Sequence, residues 1–117
     1  MNVEEVRAYC LLKPHTTEGF PFDEQTLVFK VAGKMFALTG LEWEQCHVNL
    51  KCDPERSLEL REQYPEIVPG YHMSKKHWNT VAFEAGLSED FLKELIDHSY
   101  ELVVGSFSKK KREELGL

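Results

Sequence analysis

Apolar residues near the N-terminus recur every three or four positions. Val3, Val6, Cys10 and Leu11 share one side of a helix predicted over residues 2–12. Asn2 can cap it, Glu4 and Glu5 suit its positive first turn, and Pro14 closes it. "HTTEGFPF" then reads as a loop or short edge strand, interrupted by Gly19 and Pro21. From Leu27 the period drops to two. Leu27, Phe29 and Val31 face one way, Val28, Lys30 and Ala32 the other. Gly33 and Lys34 are expected to form a two-residue type II′ turn, with Met35 to Thr39 as the returning strand. "CHVNLKC" alternates again, setting Cys46, Val48, Leu50 and Cys52 against His47, Asn49 and Lys51.

Asp53 and Pro54 open a second helix, with Leu58, Leu60 and Tyr64 as its apolar side and Pro65 as its end. "WNTVAFE" is a further strand, with Val81 and Phe83 on one face and Gly86 as its break. Ser88 caps a last long helix whose apolar positions are Phe91, Leu92, Leu95, Ile96, Leu102 and Val103. "SKKKREELGL" reads as a charged, frayed end. Helices segregated from antiparallel strands mean an α+β fold. The simplest packing is a single antiparallel sheet with helices on one face and the other face free for solvent or a partner. A chain of 117 residues makes one domain, with a core over about 2–107 and a tail over 108–117.

Composition adds the environment. The N-terminus "MNVEEVRAYC" lacks the basic and apolar regions of a signal peptide, and no apolar run is long enough to cross a bilayer. Three cysteines at irregular spacing suit a reducing compartment. The expected location is therefore cytoplasmic, and a monomer is favoured. The formal net charge of -6 repels nucleic acid overall, yet the charge is unevenly distributed. Residues 42–67 hold seven acids against three bases, and 84–104 hold six against one. Residues 68–83 hold two bases and no acid, and 105–117 four bases and two acids.

The acid-free stretch "VPGYHMSKKHWNTV" is the main chemical signal. Lys75 and Lys76 are adjacent, so both ammonium groups cannot be buried. They suit phosphate contacts, while Tyr71, His72, His77 or Trp78 suit stacking on bases or sugars. A tryptophan in such a place is more often a core anchor than a stacking platform, and histidines more often hydrogen-bond a loop than bind a ligand, so Trp78, His72 and His77 each carry that second reading. Lys30 and Lys34 near the hairpin tip, together with Lys51, extend the cationic set. No metal is expected: His72 and His77 have no third ligand at fixed spacing, and Cys46 and His47 point to opposite strand faces. No cofactor or catalytic motif is present, and Cys10 and His15 are separated by Pro14.

Three stretches carry a family resemblance: "CLLKPHTTEGFPFDEQTLVFKVAGKMFAL", "VNLKCDPERSLELREQYPEIVPGYHMSKKHWNTV" and "SYELVV". Together they resemble the MmcQ/YjbR family over roughly residues 5–107, most specifically through "PGYHMSKKHWNTV" following "NLKCDPE". The resemblance implies a frataxin-like α+β sandwich and the label "double-wing DNA-binding". Two positions depart from the family pattern. His15 stands where glycine usually follows "KP", and Asp23 where "PFG" is common, which adds a carboxylate to a binding edge. The expectation is a non-catalytic nucleic-acid-binding protein, with DNA the leading ligand. The alternative is an adaptor that presents the same aromatic and cationic surface to an acidic protein.

Overall fold

The computed structural model describes all residues, 1–117. Helix α1 (Val3–Leu11) starts at a reciprocal capping box. The Asn2 side chain accepts from the Glu5 N–H, and the Glu5 carboxylate accepts from the Asn2 N–H. β1 (Thr16–Gly19) is the short edge strand. β2 (Thr26–Val31) and β3 (Lys34–Gly40) form the hairpin, but its turn lies one residue earlier than the sequence indicates. Ala32 (φ 46°) and Gly33 (φ 89°) are the turn residues, and Lys34 already pairs with Val31. Two positive φ angles are the type I′ pattern, whose twist matches the flanking strands.

β4 (His47–Lys51) leads to α2 (Pro54–Gln63), where the Asp53 side chain accepts from the Arg56 N–H. The inner side of α2 is Ser57, Leu60 and Tyr64, while Leu58 is 65% exposed. Leu58 and Leu60 are two residues apart on a helix and therefore cannot share a face. β5 (Ile67–Pro69) is a three-residue strand too short for alternation to reveal. It exists because Ile67 pairs with Val81 of β6 (Trp78–Ala82). α3 (Glu89–Gly105) begins at the Ser88 cap. The tail is not frayed. Ser108 caps α4 (Lys109–Leu115), Gly116 closes it at φ 72°, and His15 Nε2 donates to the Leu115 carbonyl at 2.6 Å.

The six strands form one antiparallel sheet in the order β1-β2-β3-β4-β6-β5. Its inner face carries Phe29, Val31, Phe36, Val48, Leu50 and Val81 against Val6, Cys10, Leu60, Leu92, Ile96 and Val103 of the helices. A bulge lets both Phe36 and Ala37 point inward. Ser99 of α3 bridges the layers. Its hydroxyl donates to the Phe36 carbonyl at 2.6 Å and accepts from the Lys51 N–H at 2.8 Å. The outer face is not bare. Val28, Leu38 and Trp78 are buried there, with Met35 and Met73 packed beside them.

His98 links α3 to the cap of α2, accepting the Asp53 N–H at 3.2 Å through Nε2. Only the unprotonated nitrogen can accept. Burial, and then the nearby Arg56 guanidinium, hold its pKa below the usual 6.5. The unfolded chain therefore takes up this proton first. The stability His98 contributes is complete above about pH 6.5 and is lost as pH falls toward the depressed folded value. Thermal melts between pH 7.5 and 5 are expected to show a smaller acid-side loss in His98→Gln, whose amide oxygen accepts at any pH.

Candidate functional site

Strand direction sorts the charges on the outer side. Lys30 is the penultimate residue of β2, Lys51 ends β4 opposite Trp78, and the His77 carbonyl accepts the Cys52 N–H. Lys30, Lys51, Lys75, Lys76 and His77 thus gather at the end of the sheet where β2 turns into β3. The loops at the opposite end, 20–25 before β2 and 41–46 before β4, carry Asp23, Glu24, Glu42 and Glu44. Local sequence could not show this gradient, because antiparallel pairing creates it.

All four ion pairs of the protein involve the helical layer: Arg7–Glu18, Lys13–Asp97, Arg56–Glu94 and Lys93–Glu89. Lys30, Lys51, Lys75 and Lys76 take part in none of them. Lys34 departs from the expected set. It pairs with Val31, whose side chain faces inward, and its ammonium lies 5.1 Å from the Phe107 ring and 3.4 Å from the Ser106 hydroxyl. It therefore belongs to the helical side.

Trp78 is also corrected. At 8% exposure its indole packs on Val28 and Leu38 and is not a stacking platform. The loop that precedes it is the exposed element. Residues 70–73 are fastened over the middle of the outer face by a closed chain of hydrogen bonds. The Tyr71 N–H donates to Thr80 Oγ1 (2.9 Å), the Thr80 hydroxyl to Asn49 Oδ1 (2.5 Å), and the Asn49 amide to the Tyr71 carbonyl (3.3 Å). Its base is held from the helical side. Arg61 of α2 donates to Asn79 Oδ1 at 2.7 Å, to the Trp78 carbonyl at 3.2 Å, and to the Lys75 carbonyl.

Between this loop and the two acidic loops runs an open groove of about 340 Å³. Thr26, Leu38 and Asn49 form its floor. Phe22, Asp23 and Trp43 make one wall, and Tyr71, His72 and Met73 the other. Phe22 is 63% exposed, Tyr71 58% and Trp43 37%. A Cβ on Gly40 would fall within 2.5 Å of the Trp43 indole, so this ring lies against bare backbone and only glycine fits beneath it. His72 sits at φ 58°, a left-handed conformation that costs a side-chain-bearing residue of order 1–3 kcal/mol. Its ring lies against Tyr71 at a tilt of 51°, with centroids 4.0 Å apart. Sequence reading missed Phe22 and Trp43. Each lies in a loop, and loop position alone carries no signal of where a ring points.

Cys10 and His15 do not form a pair. Burial pushes the Cys10 thiol up to about 12, and the His15 ring is occupied by Leu115.

The YjbR family model matches residues 11–102, which span the sheet, α2, the 70–77 loop and most of α3. The chain belongs to the YjbR family. Among its relatives, YbdF of Escherichia coli O157:H7 is 38% identical over 112 residues, covering 96% of this chain and 92% of that protein. YjbR of Escherichia coli K12 is 30% identical over 115 residues, covering 98% of each. The crystal structure of Deinococcus radiodurans protein DR2400 superposes with a TM-score of 0.94 at 45% identity, covering 99% of this chain and 88% of that one. A Pseudomonas syringae protein superposes with a TM-score of 0.75 at 29% identity, covering 87% of this chain and 98% of that one. No helix of this chain is long and apolar enough to cross a membrane.

Proposed function

We propose that this protein binds nucleic acid through the outer side of its sheet, and that it prefers strands with unpaired bases over intact duplex. The supporting observation is that two features share the outer side of the sheet. Lys30, Lys51, Lys75 and Lys76 have no carboxylate partner, and the exposed rings of Phe22, Trp43, Tyr71 and His72 line a groove farther along that side, toward the opposite end of the strands. Ammonium groups neutralise phosphates without regard to sequence, and aromatic faces stack on bases only where those bases are splayed from a duplex. The acidic α3 lies on the other side of the sheet, so its carboxylates do not face the strand.

The test is fluorescence anisotropy with single-stranded DNA, single-stranded RNA and duplex DNA across a salt series. Single strands are expected to bind with affinity falling on a log–log plot by about 0.7 per phosphate neutralised. The double variant Lys75→Ala, Lys76→Ala removes two such contacts and should flatten the slope by about 1.4. Absence of binding to every strand at low salt would defeat the proposal. The same lysines would then be read as a docking surface for an acidic protein.

A further inference from the structure

The groove lies toward the acidic end of the sheet, while the unpaired lysines lie at the other. A nucleotide is polarised in the same sense, since its phosphate is anionic and its base edge offers N–H donors. Resting on the nucleic-acid reading above, we infer that the groove seats one unpaired base bearing an exocyclic amine, which donates to the carboxylate of Asp23.

Several observations converge on this. Asp23, Glu24, Glu42 and Glu44 turn phosphate away from this end, so the backbone runs over Lys75 and Lys76 and only the uncharged base enters. The rings of Phe22, Trp43 and Tyr71 offer flat apolar faces, and the groove's volume of about 340 Å³ exceeds the about 300 Å³ at which small-ligand clefts begin. On one wall the Trp43 indole lies against the bare backbone of Gly40, and on the other the His72 ring lies against Tyr71 with centroids 4.0 Å apart. Asp23 is the one acidic residue in the lining. Its Oδ1 accepts the Gln25 N–H at 2.9 Å and the Thr26 N–H at 2.7 Å. Its Oδ2 receives only the Thr26 hydroxyl, at 3.2 Å, and keeps acceptor capacity for a ligand. The two backbone donors also hold the carboxyl below its usual range, so it stays ionised at neutral pH.

An ionised carboxylate accepts from an amine and repels a carbonyl. Cytosine presents an amine where thymine presents a carbonyl oxygen, on rings of similar size. Adenine and guanine also carry amines. The groove should therefore discriminate against thymine and uracil.

Anisotropy titrations with fluorescein-labelled dC12 and dT12 at pH 7.5 test this, with rC12 and rU12 as a second pair that separates DNA from RNA. The expected result is roughly tenfold tighter binding of the cytosine strand, the usual scale for one charge-assisted hydrogen bond. Asp23→Asn keeps an oxygen for Gln25 and Thr26 but replaces the ligand-facing acceptor by a donor. It should abolish or invert the preference while leaving the melting temperature in place. Equal affinity for the two strands, a thymine preference in the native chain, or a cytosine preference that survives Asp23→Asn would each overturn the base slot and leave nucleic-acid binding standing. Failure of both strands to bind overturns both.

Discussion

Trp78→Ala is expected to destabilise the protein by about 3–5 kcal/mol, the usual cost of removing a buried large aromatic. The ring is 8% exposed and spans the outer face from β6 to Leu38 on β3 and Val28 on β2. Its removal uncovers those two side chains and withdraws support from Met35 and Met73. Against a typical total of about 5–15 kcal/mol, a loss of this size is large. Urea titration should show a lower midpoint at an unchanged slope, because the surface exposed on unfolding is nearly the same. Trp78→Phe should recover much of the loss. A midpoint that does not move in the alanine variant would show that the indole is not a packing element. In that case the second apolar cluster would have no anchor.

The second large effect belongs to Arg61, which touches neither the groove nor the lysine ammonium groups yet positions the loop that carries them. One guanidinium serves Asn79 Oδ1 and the carbonyls of Trp78 and Lys75. Asn79 is buried, so its unpaired oxygen would have no water to replace the lost donor. Arg61→Ala is expected to cost about 2–4 kcal/mol by leaving these acceptors unmatched. Arg61→Lys should recover only part of that, because a single ammonium cannot reproduce a planar fork. Hydrogen exchange separates a local role from a global one. Amides of residues 74–78 should lose protection in Arg61→Lys before those of β3 and β4 do. Uniform loss across the sheet would refute a loop-positioning role.

The elements visible in sequence are those whose cause is local. Asn2, Asp53 and Ser88 cap helices because each side chain satisfies an N–H three residues ahead. The alternation in β2 and β4 is readable because each strand buries one face against helices. Near misses share a cause as well. The hairpin turn shifted by one residue because Ala32 accepts a left-handed conformation, which sequence statistics assign to glycine. The tail helix α4 escaped notice because its anchor, the His15 contact to Leu115, comes from a residue 100 positions away.

The candidate site divides along the same line. The cationic loop at Lys75 and Lys76 stood out as a stretch without acids, whereas the groove beside it did not.

By itself the sequence determined the helix starts, the strand faces, the α+β class and the family, because caps, periodicity and motifs act over a few residues of contiguous chain. The tertiary structure alone decided that Trp78 lies buried on the outer face, that Lys34 turns to the helices, and that Phe22, Trp43 and Tyr71 line one groove. Those outcomes depend on which strand lies beside which. Pairing across an antiparallel sheet joins residues far apart in the chain, and no local pattern encodes that adjacency.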